Sequence, residues 1–173
     1  TVLATAPARK DKRVVFAASS SAYGETPTLP TVETMQPQPI SPYGVTKYVG
    51  ELYAQTFGRC YGLENVALRY FNIFGPRQDP SSPYSGVLAK FCTAFLEDSP
   101  PVVFGDGEQT RDFTFVENAV QANLLACEAP NISGKVFNVG CGRRISLNEV
   151  LRTLRKITGK ALEAKYDPPR EAD

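Results

Sequence analysis

An alternation of short apolar runs with helix-like segments constrains the fold of this chain more than any other feature. Three runs have the length and apolar content of buried strands: residues 13–18, 65–70 and 135–139. Four longer segments have helix caps or a helical spacing of apolar residues: 42–61, 87–97, 117–128 and 146–158. Because strands and helices alternate along the sequence, we predict an α/β fold.

Two of these helices carry sequence signals at both ends. Ser41 is a typical N-cap residue, Pro42 suits the first helical position, and Gly62 suits the C-terminus. Ser146 and Gly159 have the corresponding roles in the last helix. These signals predict the helix boundaries more closely than the apolar pattern alone.

Loops separate the predicted elements. Residues 19–42 are rich in Ser, Pro, Thr and Gly, and a loop of this length inside a domain is usually functional. Residues 71–86 form a second loop, and short strands at 100–104 and 111–116 are predicted on either side of a Gly-Asp-Gly turn.

Composition excludes several classes of protein. The chain has 173 residues with 42% hydrophobic residues and a formal net charge of +1, which fits one globular domain without a basic surface for nucleic acid. No apolar run has the length of a membrane span. Histidine is absent, which excludes a Ser-His or Cys-His nucleophile and most zinc sites, so no metal site is predicted. The four cysteines are scattered, and we expect reduced, mostly buried thiols.

Acid–base chemistry must then come from other side chains, and Tyr43-x-x-x-Lys47 is the strongest local pattern. Residues four apart on a helix lie on one face, one turn apart. A nearby ammonium favours the ionised form of a phenol, so such a pair can serve as a general acid and base near neutral pH. Ser19 follows a predicted strand, at the end of the sheet where open α/β sheets bind ligands.

Several further motifs accompany these residues in a fixed order along the chain. They are Ser19-Ser20-Ser21-Ala22-Tyr23-Gly24, Tyr43-Gly44-x-x-Lys47, Arg69-Tyr70-Phe71-Asn72, Gly105-Asp106-Gly107-x-x-x-Arg111-Asp112-Phe113, Phe137-Asn138-Val139-Gly140 and Arg170-x-x-Asp173. Together they resemble the extended short-chain dehydrogenase/reductase superfamily, in particular its NAD-dependent sugar-nucleotide epimerases and dehydratases.

The resemblance implies a Rossmann-like doubly wound parallel sheet with a smaller α/β substrate-binding domain. Residues 1–75 correspond to the second half of the NAD-binding domain, and 76–173 mostly to the substrate-binding region, with 113–130 returning to the first domain. The family's Gly-rich fingerprint, G-x-x-G-x-x-G, is absent from this sequence. We therefore expect the chain to be the middle and later part of a longer enzyme, without its N-terminal βαβ unit.

The resemblance also implies the roles of individual residues. The catalytic set is Ser19, Tyr43 and Lys47, with Tyr43 as the base for the sugar 4-hydroxyl. Substrate-binding residues are Ser19, Ser20, Tyr43, Asn72, Arg111, Arg170 and Asp173. Residues expected to contact the cofactor, NAD, are Ala17, Tyr43, Lys47, Tyr70 and Phe71.

The loop after the first strand predicts the reaction. Family dehydratases carry Thr-Asp-Glu where this chain has Ser19-Ser20-Ser21, so the uncharged serines favour a 4-epimerase. The finer resemblance is to bacterial UDP-N-acetylglucosamine 4-epimerases of polysaccharide pathways, which implies a cytoplasmic homodimer paired through the Tyr43-bearing helix. The alternatives are a non-catalytic, truncated nucleotide-sugar-binding homologue, and a dehydratase or decarboxylase of the same superfamily.

Overall fold

The computed structural model describes residues 2–9, 13–26, 28–82 and 86–169. The chain divides into two compact units, Thr1–Phe71 with Glu117–Val139 and Asn72–Val116 with Gly140–Asp173. In chain order the elements are α1 (Val2–Arg9), β1 (Val14–Ser19), a 3₁₀ turn (Ser20–Ala22), α2 (Pro42–Tyr61), β2 (Asn65–Tyr70), β3 (Ile73–Phe74), α3 (Val87–Leu96), β4 (Val102–Phe104), β5 (Thr110–Arg111), β6 (Thr114–Phe115), α4 (Val116–Glu128), β7 (Lys135–Val139), β8 (Ile145–Ser146), α5 (Leu147–Thr158) and β9 (Lys165–Asp167).

The first unit is built on a parallel sheet with the strand order β1-β2-β7. The registers pair Ser19 with Tyr70 and Tyr70 with Val139, so the carboxyl ends of all three strands are aligned. The central strand β2 is buried, as its apolar sequence predicts. The three predicted strands and the α/β class are confirmed.

Helix α2 packs against β1 and β2. Its predicted ends are confirmed: Ser41 Oγ accepts a hydrogen bond from Gly44 N at 3.1 Å, Pro42 begins the helix, and Gly62 ends it with a φ of 67°. Close packing of α2 on β1 depends on Gly50, because a Cβ atom there would overlap the ring of Phe16.

The second unit has its own apolar core between α3 and α5. Phe91, Phe95, Val103 and Leu151 are almost completely buried there. The three small sheets of this unit pair β3 with β6, β4 with β9 and β5 with β8. The Gly-Asp-Gly turn therefore separates strands that pair elsewhere, since β4 pairs with β9 and β5 with β8.

Burial in α4 does not follow its apolar spacing, and the expectation of mostly buried thiols is wrong. The apolar residues that predict α4, Val120, Leu124 and Leu125 among them, are exposed, and the helix buries Ala119 and Ala126 instead. All four cysteines are exposed as well, although mostly buried thiols were expected. Small alanines, rather than the larger apolar residues, fit the close contact of α4 with Val66 and Leu68 of the sheet.

Candidate active site

The turn after β1 holds Ser19 at the carboxyl end of the sheet. Ser19 has an extended backbone and caps the 3₁₀ turn, and its Oγ accepts hydrogen bonds from Ser21 N at 3.2 Å and from Ser21 Oγ at 2.8 Å. Because Ser19 Oγ is the acceptor in both, the Ser19 hydroxyl can still donate its own proton to a ligand. Ser20 lies in the same turn, between the two bonded serines.

The first two turns of α2 present Tyr43 and Lys47 beside this strand. The ammonium of Lys47 lies 5.7 Å from the centre of the Tyr43 ring and donates a hydrogen bond to the carbonyl oxygen of Ala17 at 2.9 Å. Tyr43 is 46% exposed. The structure thus brings together Ala17, Lys47 and Tyr43, three residues that the sequence assigned to one site, and leaves Tyr43 partly exposed.

Gly44 allows the helix to approach the serine turn closely. A Cβ atom at position 44 would lie 2.6 Å from the carbonyl oxygen of Ser21 and 3.1 Å from Cβ of Pro39. A side chain therefore does not fit here without a shift of the helix or the turn. Gly44 fixes the spacing between the element that carries Tyr43 and the element that carries Ser19.

Two further residues assigned to the cofactor lie at the end of β2. The hydroxyl of Tyr70 accepts a hydrogen bond from Asn123 Nδ2 at 2.7 Å. Burial raises the pKa of Tyr70, and the hydrogen bond from Asn123 partly offsets this increase. Phe71 donates its backbone N–H to the carbonyl of Val139 and packs its ring 6.4 Å from that of Tyr23.

The predicted phosphate ligands Asn72 and Arg111 belong to the second unit. Asn72 has a positive φ of 35°, which is uncommon for a residue other than glycine, and its Nδ2 donates to the carbonyl of Asp112 at 3.1 Å. Arg111 lines an open pocket. The pocket residues are Phe104, Gly105, Asp106, Gln109, Arg111, Asp167 and Pro169.

Asp112 follows the predicted ligand Arg111, and the sequence did not reveal its contacts. Its carboxylate accepts hydrogen bonds from the backbone N–H groups of Cys141 at 2.9 Å and Gly142 at 2.8 Å. The amides of the Gly140-x-Gly142 segment are therefore bound to a carboxylate of this chain. The available signal was the position of Asp112 directly after Arg111 in the Gly-Asp-Gly motif, but this position does not indicate which groups Asp112 binds.

A buried ion pair was also missed. Arg69 of β2 forms a two-point contact with Glu51 of α2. The motif that contains Arg69 does not indicate this partner, and no local pattern marks Glu51. Arg170 and Asp173, predicted to bind the substrate, lie outside the described residues. In the part of the chain that the structure describes, no group of acidic and cysteine side chains could hold a metal ion, and no helix combines the length and hydrophobicity of a membrane span.

A parallel sheet with aligned carboxyl ends, followed there by a serine turn and a Tyr-x-x-x-Lys helix, defines the class: a Rossmann-type α/β protein. The model of the NAD dependent epimerase/dehydratase family matches residues 1–140. The chain belongs to this family, and the expected NAD dependence and the Rossmann-like fold are confirmed.

Relatives of known name support the same assignment. The chain is 37% identical over 163 residues to the UDP-glucose 4-epimerase of Mycolicibacterium smegmatis, covering 94% of this chain and 51% of that protein. It matches the structure of UDP-N-acetylglucosamine 4-epimerase from Methanobrevibacter ruminantium with a TM-score of 0.95 and 40% identity, covering 99% of this chain and 55% of the other. The UDP-glucose 4-epimerase of Thermotoga maritima gives a TM-score of 0.94 and 42% identity, with coverages of 99% and 55%. The chain spans about half the length of these relatives.

Proposed function

We propose that the complete gene product containing this chain is an NAD-dependent UDP-sugar 4-epimerase, with UDP-N-acetylglucosamine and UDP-N-acetylgalactosamine as its substrate pair. The observation that carries the proposal is the arrangement of Tyr43 and Lys47 on α2 beside an uncharged serine turn. Relatives that act on UDP-glucose and on UDP-N-acetylglucosamine are both similar to the chain, and the choice between these sugars is part of the proposal.

In the proposed reaction, Tyr43 removes the proton from the 4-hydroxyl of the sugar, and Ser19 donates a hydrogen bond to the same oxygen. The positive charge of Lys47, 5.7 Å from the Tyr43 ring, stabilises the phenolate that takes this proton. The chemistry that NAD supplies when bound is reversible hydride transfer at C4 of the sugar. Tyr43 then returns the proton to the 4-oxygen after the keto sugar has turned over.

The residues of this chain fit the nicotinamide end of NAD better than its pyrophosphate. Lys47 and Tyr43 offer a cation and a hydroxyl at the carboxyl edge of the sheet, which suits the nicotinamide ribose. Ala17, Tyr70 and Phe71 are proposed to border the nicotinamide. The sequence contains no Gly-rich fingerprint for the pyrophosphate. We propose that the chain alone is therefore inactive, and the alternative remains a non-catalytic homologue that only binds nucleotide sugar.

The serine turn favours epimerisation over elimination. Ser20 and Ser21 stand where a dehydratase carries an aspartate and a glutamate, and the Ser21 hydroxyl is bonded to Ser19. The turn thus offers hydrogen bonds but no carboxyl group that could drive loss of water. A dehydratase or decarboxylase is the second candidate, and product analysis separates it from the first.

The second unit supplies the proposed phosphate ligands. Arg111 lines the pocket and can donate two hydrogen bonds to a diphosphate, and Asn72 can add an amide donor. Arg170 and Asp173 are proposed to bind phosphate and the uridine ribose.

Homodimerisation through α2 is proposed from its exposed face. Val49, Leu52 and Tyr53 are exposed apolar residues on this helix. A dimer would bury them against the same residues of a second copy. We further propose a cytoplasmic location, because four exposed cysteines suit a reducing compartment. A role in polysaccharide biosynthesis is proposed from the resemblance to UDP-N-acetylglucosamine 4-epimerases of such pathways.

A product assay tests the function. The complete gene product is incubated with NAD and either UDP-N-acetylglucosamine or UDP-glucose, and proton spectroscopy follows the sugar. We expect the C4 epimer to form with the N-acetylated substrate at the higher kcat/KM. A product that has lost water or carbon dioxide would contradict the proposed epimerase activity. A preference for UDP-glucose would contradict only the proposed N-acetylated substrate pair.

A further inference from the structure

A buried arginine connects the two elements that carry the proposed catalytic residues. Arg69 donates from Nε to Glu51 Oε1 at 2.9 Å and from Nη2 to Glu51 Oε2 at 2.6 Å. The side chains of Arg69 and Glu51 are only 4% and 1% exposed. A two-point contact between planar groups fixes both distance and orientation. Glu51 lies four residues after Lys47, so the contact holds α2 one turn beyond the Tyr43–Lys47 pair.

The other side of the same guanidinium contacts the serine turn. The carbon Cζ of Arg69 lies 4.4 Å from the ring centre of Tyr23, which directly follows the Ser20–Ala22 turn. Tyr23 is itself held in place, because its hydroxyl donates to Asn138 Oδ1 of β7 at 2.7 Å. Arg69 is paired with Ala18 in the sheet, one residue before Ser19.

The energetics of a buried ion pair indicate that it fixes the arrangement of its neighbours more than it stabilises the fold. Burial alone would lower the pKa of Arg69, but the hydrogen bonds and charge of Glu51, with Tyr23, outweigh it and raise the pKa. The guanidinium of Arg69 is therefore charged. A buried ion pair is often no more stabilising than apolar side chains of the same volume, so its benefit lies in the arrangement that it imposes.

We propose that Arg69 is a positioning residue that sets the place of Tyr43 and Lys47 relative to Ser19, by clamping Glu51 on α2 and Tyr23 after the serine turn. The role of Arg69 in catalysis rests on the proposed function, whereas its effect on the position of Lys47 does not. A displacement of about 1 Å at reacting groups can lower a rate by about 100-fold, which gives the scale of the expected effect.

The test uses two variants of the complete gene product and one matched control. Arg69→Lys keeps the charge and removes the two-point contact. The double variant Glu51→Leu with Arg69→Met replaces the pair by apolar groups and preserves burial. The control is Arg13→Lys, an arginine that contacts one carboxylate oxygen of the exposed Glu64 at the amino ends of β1 and β2, away from Ser19. Arg13 also donates to the carbonyls of Ala126 and Ala129, so this control is compared in kinetics and acylation and not in thermal unfolding.

Three measurements are made on each protein: thermal unfolding, kcat with KM, and the acylation rate of Lys47 relative to the exposed Lys90 and Lys156. We expect both Arg69 variants to lower kcat about 10- to 100-fold with KM changed less than threefold. We expect Lys47 to be acylated several times faster in them, because its hydrogen bond to Ala17 is lost. The double variant should unfold near the temperature of the unmodified protein. Arg13→Lys should match the unmodified protein in kcat, KM and the acylation rate of Lys47.

The outcomes separate the two proposals. If the unmodified protein converts no UDP-sugar, the proposed function fails, and the Lys47 acylation rates decide the positioning role without any turnover. If the double variant does not fold, Arg69→Lys alone carries the test. Unchanged kcat and unchanged Lys47 acylation in a folded Arg69 variant overturn the inference, as does an equal effect of Arg13→Lys.

Discussion

Individual side chains at the carboxyl edge of the sheet are held to very different degrees. The Lys47 ammonium is fixed by the carbonyl of Ala17, and the Ser19 oxygen by two bonds from Ser21. The Tyr43 ring is almost half exposed. A cation and a hydroxyl that are already hydrogen-bonded beside a partly exposed tyrosine suit proton transfer to a ligand, since the polar surroundings of the acid–base group are in place before binding.

Removal of one oxygen tests the acid–base role. Tyr43→Phe keeps the ring beside Lys47 and deletes the hydroxyl, so we expect kcat of the complete gene product to fall by about 10²- to 10⁴-fold with little change in KM. Tyr53→Phe is the matched control, because Tyr53 is an exposed tyrosine on the same helix. Steady-state kinetics of epimerisation checks both variants, and equal activity of the two would contradict the assignment of Tyr43.

Arg111 is open to an equally local test. Arg111→Lys keeps a positive charge at the pocket but removes the forked donor that suits a diphosphate. We expect KM for the UDP-sugar to rise about tenfold, with a smaller effect on kcat. The matched control is Arg143→Lys on the exposed Gly142–Arg144 segment, and a similar rise in KM for both variants would speak against a specific phosphate contact.

At this scale the sequence marks the proposed site residues better than it marks their partners. Ser19, Tyr43 and Lys47 stand in short motifs, so local pattern and the family resemblance predict them as site residues. Glu51 and Arg69 are 18 residues apart, and Asp112 binds amides about 30 residues away. Contacts of this kind depend on the tertiary fold, and nothing in the neighbouring sequence marks them.

Among the elements, α2 has the largest influence on the site, and two glycines set its position. Gly50 lets it approach Phe16, and Gly44 lets it approach the carbonyl of Ser21. A helix interior generally disfavours glycine relative to alanine, so glycine at these positions is best explained by close packing.

Gly44→Ala tests this packing. The added Cβ would lie 2.6 Å from the Ser21 oxygen, and we expect a loss of about 1–3 kcal/mol in the free energy of unfolding together with a clear fall in kcat. Thr56→Ala, an exposed position on the same helix, is the control and should leave both unchanged. Helix propensity alone would make Gly44→Ala more stable than the parent protein. That result would show that the serine turn can move away from the added Cβ at little cost in free energy.

The capping box of α5 gives a prediction for stability alone. Ser146 Oγ accepts from Glu149 N at 3.2 Å, and Glu149 Oε2 accepts from Ser146 N at 2.9 Å. We expect Ser146→Ala to lower the free energy of unfolding by about 1 kcal/mol, because one backbone donor loses its partner. Urea denaturation measures this difference, and Thr153→Ala in the exposed middle of α5 should change the free energy of unfolding by much less.

Elements with caps or long apolar runs were predictable, and the others were not. The ends of α2 and α5 follow from Ser, Pro and Gly at known positions, and β2 follows from a continuous apolar run. Two-residue strands such as β5 and β8 have no pattern of their own, since each exists only through pairing with a distant segment. Helix α1 was missed because its sequence, with a proline inside, has weak helical signals.

At the scale of the whole molecule, the chain forms two compact units, and the proposed groups are divided between them. The first unit contains Ser19, Tyr43 and Lys47, and the second contains Asn72 and Arg111. The assignment of 1–75 to cofactor and 76–173 mostly to substrate, with 113–130 returning, stays a prediction. The family resemblance predicts which segments belong to which domain. Composition and residue spacing alone do not show in which of the two apolar cores a segment packs.

This division predicts how the chain behaves by itself. Because each unit has its own buried core, we expect the 173-residue chain to fold and to show the far-ultraviolet circular dichroism of an α/β protein. We expect it to bind UDP through the second unit, measured by calorimetry, and Arg111→Lys to weaken this binding about tenfold. With NAD and UDP-N-acetylglucosamine we expect no epimer, because the sequence offers no glycine-rich loop for the pyrophosphate. Turnover by the chain that disappears with Tyr43→Phe would show instead that these residues suffice for catalysis, and a folded chain without affinity for UDP would remove the second unit from the proposed site.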